Sequence, residues 1–265
     1  MLHANSPDLG EEKFGNFSYV SENYKYRPYY SFNVFEYLSA RVLSGALPAV
    51  AADIGAGSGK LVEMLARLGF HGFAIEPNRE MVSHGRQQCL HIPEFAWLEA
   101  TAESTELADQ SVSWVCMGSM FHWTDQRQAL EECHRILSPG GFLSVIYDLT
   151  DIGNDPIQME VENLIKRSAP GVKRARGPIE AIMSELETIL GSASGFDGCV
   201  YVESQHVESM DVDRYMRVWD TAHDLRGQLS RQQWAELKAS IFQLVKHIDV
   251  IPSKYRTSAW TVRRI

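Results

Sequence analysis

The residues with the clearest chemical potential form one short run, Asp53-Ile-Gly55-Ala-Gly57-Ser-Gly59-Lys60, which follows an apolar stretch and precedes a helical one. Glycines at alternate positions permit a tight turn and let backbone N–H groups come close to a ligand. A Walker A loop would need Gly at position 54 and Ser or Thr at position 61, where the chain has Ile54 and Leu61. A dinucleotide fingerprint would need G-x-G-x-x-G, but the spacing here is G-x-G-x-G, and Asp53 would repel a pyrophosphate.

A cationic cofactor without phosphate reverses that repulsion. Asp53 can take an ammonium group while the glycine backbone approaches a ribose and an amino-acid carboxylate, and S-adenosylmethionine carries all three. Glu76 adds a second mark. It ends the next apolar run, Gly72-Phe-Ala-Ile-Glu76-Pro77, where a carboxylate can accept from both ribose hydroxyls. Ribose recognition alone does not separate this cofactor from NAD, and a solvated strand-end Glu is the plain alternative.

These residues need a scaffold, and the chain supplies one. Apolar runs at 49–54, 72–76, 95–99, 112–118 and 142–148 read as strands. Between them, Leu61, Met64, Leu65 and Leu68 share a helical face after Gly59, and Ala129, Leu130, Cys133, Ile136 and Leu137 do so after the cap candidate Asp125. The alternation predicts an α/β fold: a doubly wound, mainly parallel seven-stranded sheet with a closing antiparallel pair and a helical insertion. Ligands of such sheets bind outside the carboxyl ends of the strands.

The 265 residues suit one elaborated domain, 1–265. Within it, 14–47 is an aromatic segment (Phe14, Phe17, Tyr19, Tyr24, Tyr26, Tyr29 and Tyr30 around Arg27-Pro28) followed by a helix over 31–47. The cofactor core covers 48–150, and 151–195 is a helical insertion expected to cover substrate. Residues 196–265 then complete the sheet with strands at 198–208 and 255–263 and two helical runs across 211–248.

Composition narrows the partners. Lys and Arg total 25 against 34 Asp and Glu, and the net charge of -9 disfavours nucleic acid and acidic membranes. The start of the chain, with Asp8, Glu11 and Glu12, lacks a basic and apolar leader, so a cytoplasmic location is expected. Cys89, Cys116, Cys133 and Cys199 form no C-x-x-C pair, so reduced thiols and no metal are expected.

The stretch from Asp53 to Gly141 resembles the class I S-adenosylmethionine-dependent methyltransferases. Asp53-Ile-Gly-Ala-Gly-Ser-Gly59 is similar to their first motif and Glu76 to the acid ending their second strand. Thr101-Ala102-Glu103 resembles their adenine-contacting segment, with Thr101 where many relatives carry Asp, and Leu137-Ser-Pro-Gly-Gly141 the turn before their fifth strand. Tyr26-Arg27-Pro28-Tyr29-Tyr30 and Phe121-His122-Trp123-Thr124-Asp125 resemble segments of the small-molecule branch that includes trans-aconitate methyltransferase; Ser31 stands where that branch usually has Pro.

The resemblance implies a Rossmann-like methyltransferase fold with S-adenosylmethionine held by Tyr24, Arg27, Asp53, Gly55, Gly57, Gly59, Glu76, Pro77, Met81, Thr101, Ala102, Glu103, Gly118, Phe121 and Trp123. It also implies methyl transfer to an O, N or carboxylate of a small molecule, an anionic one included, by a monomer or homodimer. His122 is the candidate base or an orienting group for its loop. Tyr147 and Asp148 are candidate catalytic groups or plain loop contacts, and the N-terminal aromatics form either a lid or packing against the first helix. Arg27, Lys173, Arg174, Arg176, Arg214 and Arg217 could form an anion pocket or a solvated face. Two other outcomes stay open: an intramolecular displacement releasing methylthioadenosine, and a cofactor-binding module without catalysis.

Overall fold

The computed structural model describes residues 18–45 and 47–265. Phe14 and Phe17 of the aromatic segment lie outside the described residues, as does the side chain of Tyr19.

After a 3-10 stretch, Ser18–Tyr26, the chain runs α1 (Phe32–Leu43), β1 (Val50–Ile54), α2 (Lys60–Arg67), β2 (His71–Ile75), α3 (Arg79–Gln88), β3 (Phe95–Leu98) and β4 (Val112–Gly118). It continues through α4 (Gln126–Ile136), β5 (Leu137–Thr150), α5 (Pro156–Ser168), α6 (Arg176–Gly191) and β6 (Phe196–Met210). The last elements are α7 (Val212–Trp219), α8 (His223–Arg226), α9 (Arg231–Val245) and β7 (Ile251–Arg264).

The seven strands are ordered β3-β2-β1-β4-β5-β7-β6. β1 to β5 are mutually parallel, and β7 runs antiparallel between β5 and β6. This is the expected doubly wound sheet. Parallel strands covered by helices on both faces must be apolar throughout, which is why Val112–Met117 is buried residue after residue. Winding changes direction between β1 and β4, and that switch point opens the crevice into which the glycine turn projects.

On one face, α1 and α2 bury Phe35, Leu38, Met64 and Leu65 against Trp114. On the other, α4 and α6 bury Ala129, Cys133, Leu186 and Leu190 against Val115 and Met117. A third core joins α5, α7, α8 and α9 around Val161, Tyr215, Leu225 and Ile241, seated on Met210, Ile251 and Tyr255 at the ends of the closing strands. The stretch 151–195 is helical, but its two helices part: α6 covers the sheet while α5 joins the third core.

Element ends moved where hydrogen bonding overrides hydropathy. Leu137 does not extend the α4 face but starts β5, pairing with Val112 before a register shift at Trp114. The closing strands reach Met210 and Ile251 because their ladder stays in register to those residues. α1 stops at Leu43, short of Pro48, which disfavours helix in the residue before it. Among the described residues, no helix is long and apolar enough to cross a membrane.

Candidate active site

Asp53 sits near the end of β1, in register with Ala74 of β2 and Cys116 of β4. Its side chain is buried, and neither carboxylate oxygen has a hydrogen-bond partner. Burial, with the nearby Glu76 carboxylate adding to it, pushes its pKa up to about 8. A buried carboxylate without donors is costly, so its retention calls for a cationic ligand group.

The glycines after it serve different ends. Gly59 has φ +87°, and a Cβ there would lie 2.4 Å from Cys89 Sγ, so it is glycine for packing as well as for the turn. Gly57, with φ +54°, would meet nothing closer than Met81 Cε at 3.6 Å, leaving its backbone approachable. Gly55 is covered by Met120.

Glu76, 8% exposed, accepts from Gly57 N–H through Oε2 and from Asn78 N–H through Oε1, each at 2.9 Å. Burial raises its pKa against these bonds. Two bonds leave lone pairs for a diol, since a carboxylate offers about four acceptor sites. Pro77 is exposed beyond it; Asn78 caps α3 by accepting from Met81 N–H at 3.0 Å, which sets Met81 over the glycine turn. The donor and acceptor set therefore fits S-adenosylmethionine: a buried, unpartnered carboxyl group that the ammonium would ionise, an approachable backbone, and a carboxylate for the ribose.

Thr101 is exposed and bridges to Ser104, while Ala102 is buried in the second core. Glu103 accepts from Asp125 N–H at 2.9 Å and so ties this loop to the start of α4. Gly118 ends β4, where a Cβ would clash with Leu61 and with the Tyr30 hydroxyl, each at 2.6 Å. Ser119 follows with φ +55°, a strained value for a non-glycine residue, and its Oγ accepts from Tyr30 Oη at 3.4 Å. Phe121 is fully buried in the second core, whereas Trp123 is 38% exposed beside His122.

His122 Nδ1 lies 3.1 Å from Tyr147 Oη. Burial, with His223 of α8 adding to it, lowers the His122 pKa to about 4, and burial raises that of Tyr147. Asp148 is raised to about 7 by burial, opposed by the Thr257 hydroxyl, which donates to Oδ1 at 2.5 Å, and by Arg27. Ser31 N–H in turn donates to Thr257 Oγ1 at 2.7 Å. A proline at 31 would have no N–H for this bond, so the departure from the Y-R-P pattern links the N-terminal segment to the end of β5.

That segment is held from several sides. Tyr29 Oη donates to Glu63 of α2, Tyr29 N–H donates to Glu208 at 3.3 Å, and Arg214 Nε donates to Tyr26 O at 3.2 Å. The Arg27 guanidinium lies over the Tyr24 ring at 5.2 Å and has no carboxylate partner among the described residues. The other candidate cations do not gather with it. Arg174 pairs with Glu162 and Asp224, Arg176 with Glu180, Arg214 with Glu208 and Arg217 with Asp213, while Lys173 is exposed. No shared anion pocket forms, because acidic neighbours neutralise Arg174, Arg176, Arg214 and Arg217 and Lys173 lies on the exposed surface.

Sequence reasoning missed Ser119, Met120, His223 and Thr257. Ser119 and Met120 lie directly after a strand end and were findable from that position. His223 and Thr257 come from α8 and β7, and only the folding of the C-terminal third onto the sheet brings them here.

Comparisons with known proteins bear on the domain family and the fold. Residues 52–145 match the methyltransferase domain family. An uncharacterised methyltransferase of Mycobacterium bovis is 37% identical over 108 residues, which is 40% of this chain and 43% of that protein. One from Schizosaccharomyces pombe is 32% identical over 100 residues, 37% of this chain and 39% of that one. The matched stretch thus spans less than half the length of these curated relatives. A solved structure from Anaeromyxobacter dehalogenans, described provisionally as a type II methyltransferase, superposes with a TM-score of 0.60 at 21% identity, covering 90% of this chain and 97% of that one. At that identity the likeness concerns the fold. None of these three is described as acting on trans-aconitate.

Proposed function

We propose, for a chain whose residues 52–145 match the methyltransferase domain family, that the whole protein transfers a methyl group from S-adenosylmethionine to a small-molecule acceptor. The observation that carries this reading is Asp53, a buried carboxylate with two unpartnered oxygens directly before an approachable glycine turn.

In this reading Asp53 takes the cofactor's ammonium group, Glu76 its ribose hydroxyls, and Arg27 its carboxylate. Gly57 lets the backbone close on it, and Met81 and Trp123 supply apolar and aromatic walls. When bound, S-adenosylmethionine would supply an electrophilic methyl carbon, with sulfur as its leaving group, to a lone pair of the acceptor. The protein's own part is to orient the acceptor in line and to exclude water. His122, Tyr147 and Asp148 border that space from the ends of β4 and β5. The F-H-W-x-D and Y-R-P-x-Y segments support the small-molecule branch, with an O, N or carboxylate as the methylated group.

Calorimetry with S-adenosylmethionine and S-adenosylhomocysteine tests the reading. Both should bind wild-type protein and neither should bind Asp53→Ala; absence of binding to the wild type sinks it. Mass spectrometry of the spent cofactor should show S-adenosylhomocysteine, whereas methylthioadenosine would point to the intramolecular displacement.

A further inference from the structure

His122 is the obvious candidate for a base at this site, and the hydrogen bonding around it argues for a different role. Tyr147 Oη is the key. Its side chain is fully buried, and its one hydrogen-bonding partner among the described residues is His122 Nδ1. His122 Nδ1 lies 3.1 Å from the phenol oxygen.

A phenol buried from water must send its proton to a protein acceptor, and Nδ1 is the one present among the described residues. The opposite arrangement, with Nδ1–H donating to Oη, would leave a buried phenol proton with no acceptor among the described residues. An unpaired buried donor costs about 1–3 kcal/mol, enough to fix the ring in a single tautomer. The Tyr147 hydroxyl stays protonated, because burial moves its pKa upward. The neutral imidazole then carries its hydrogen on Nε2.

We propose that Tyr147 locks His122 as the Nε2–H tautomer, so that His122 presents a hydrogen-bond donor to a lone-pair-bearing oxygen of the methyl acceptor and does not remove a proton from it. Two features place that donor where an acceptor would come. His122 lies in the short turn Phe121–Trp123 directly after Ser119 and Met120, and Met120 covers Gly55 of the cofactor turn. Nε2 has no hydrogen-bond partner among the described residues, yet it is not one of the sealed, unsatisfied polar atoms, as the Asp53 oxygens are.

The titratable groups beside the ring are Tyr147 from β5 and His223 from α8, and no carboxylate contributes to its titration. Nothing there supports an imidazolium, which a base would become during turnover. Tyr147 is thus a positioning residue acting through His122. The acceptor must bring a nucleophile that needs no deprotonation by this imidazole.

The inference rests on the methyltransferase reading for its function, but the tautomer can be measured without turnover. Two-bond proton–nitrogen spectra of histidine-labelled full-length protein at pH 7, with the His122 signals assigned by their loss in His122→Gln, should show Nε2–H with Nδ1 accepting. In Tyr147→Phe the same signals should move toward a mixture of tautomers. An Nδ1–H or doubly protonated His122 in the wild type overturns the proposal.

Turnover supplies the second arm, using a panel of small carboxylates, phenols and amines with release of S-adenosylhomocysteine as the readout. Glutamine places an amide donor near the Nε2 position and cannot act as a base at neutral pH. For any acceptor consumed, His122→Gln should keep kcat within about threefold while KM rises. Loss of a factor of about 10²–10⁴ in kcat, the range for removing general-base catalysis, in a variant that still binds S-adenosylhomocysteine, overturns the donor role. Failure of the wild type to bind any cofactor fails the methyltransferase reading instead and leaves the tautomer result standing.

Discussion

Replacing Asp53 by Asn should raise the stability of the ligand-free protein while removing its cofactor binding. The carboxyl's pKa rises from 3.8 to about 8 on folding, mainly through burial. A raised carboxyl value means that the folded state holds the proton more tightly than the unfolded chain. The resulting penalty is absent at pH below the ordinary value, grows as pH rises toward the folded value, and is constant above it. At about 1.4 kcal/mol per pH unit, the cost at pH 7 is about 4 kcal/mol. An Asn amide in the same position avoids the charge penalty but, relative to the protonated carboxyl, buries one more unpaired donor, which costs about 1–3 kcal/mol. The net gain is therefore about 1–3 kcal/mol at pH 7, or roughly 2–4 °C in Tm for each kcal/mol in a chain of this size. The advantage should shrink as pH falls toward 4.

Cofactor affinity should move the other way, because the bound ammonium would lose its counter-charge. Leaving one partner of a buried ion pair alone costs about 3–5 kcal/mol, a loss of about 10²–10⁴-fold. In the wild type, binding must ionise Asp53, so affinity for S-adenosylhomocysteine should climb with pH up to about 8 and binding at pH 7 should release close to one proton. Thermal melts from pH 5 to 9, with calorimetry in buffers of different ionisation enthalpy, measure both effects. A variant that melts below the wild type at pH 7 and still binds S-adenosylhomocysteine within about tenfold would refute the assignment of Asp53 as a charge held for a ligand.

Gly57→Ala should fold with a loss of about 1 kcal/mol from the positive φ and lose cofactor affinity, as read by calorimetry. Gly59→Ala should instead unfold at lower temperature, since its Cβ would press on Cys89. Thr257→Val removes the hydroxyl that lowers the Asp148 pKa, so carboxyl titration by carbon NMR should find Asp148 shifted above about 7 and neutral over more of the physiological range. Glu132, although burial pulls its pKa upward, is held down at about 2 by bonds from Arg135 and Thr105. Its contribution is present above the ordinary value of 4.5 and lost as pH falls toward 2, so Glu132→Gln should cost about 1–3 kcal/mol at pH 7, with the gap closing in denaturant melts at pH 2.5.

The cofactor half of the site was legible in the sequence because it is local. A strand, a glycine turn and a helix follow one another within the stretch around Asp53, and Glu76 ends the next strand, so short-range hydropathy and turn chemistry suffice to bring these groups together. The same locality let the run of buried apolar strands announce a parallel sheet. What spacing could not reveal is that Asp53 has no donor, that Glu76 already accepts from Gly57, or that most of the candidate cations are paired with acids. The acceptor side depends on long-range packing. Thr257 reaches Asp148 only through the antiparallel register of β5 and β7, His223 arrives on a short helix of the third core, and Tyr147 meets His122 across two adjacent strand ends. Sequence by itself determined which residues could carry charge and where the chain had to turn. The tertiary structure decided which of those charges were left without partners and which nitrogen of His122 holds its proton, because both depend on neighbours that are distant along the chain.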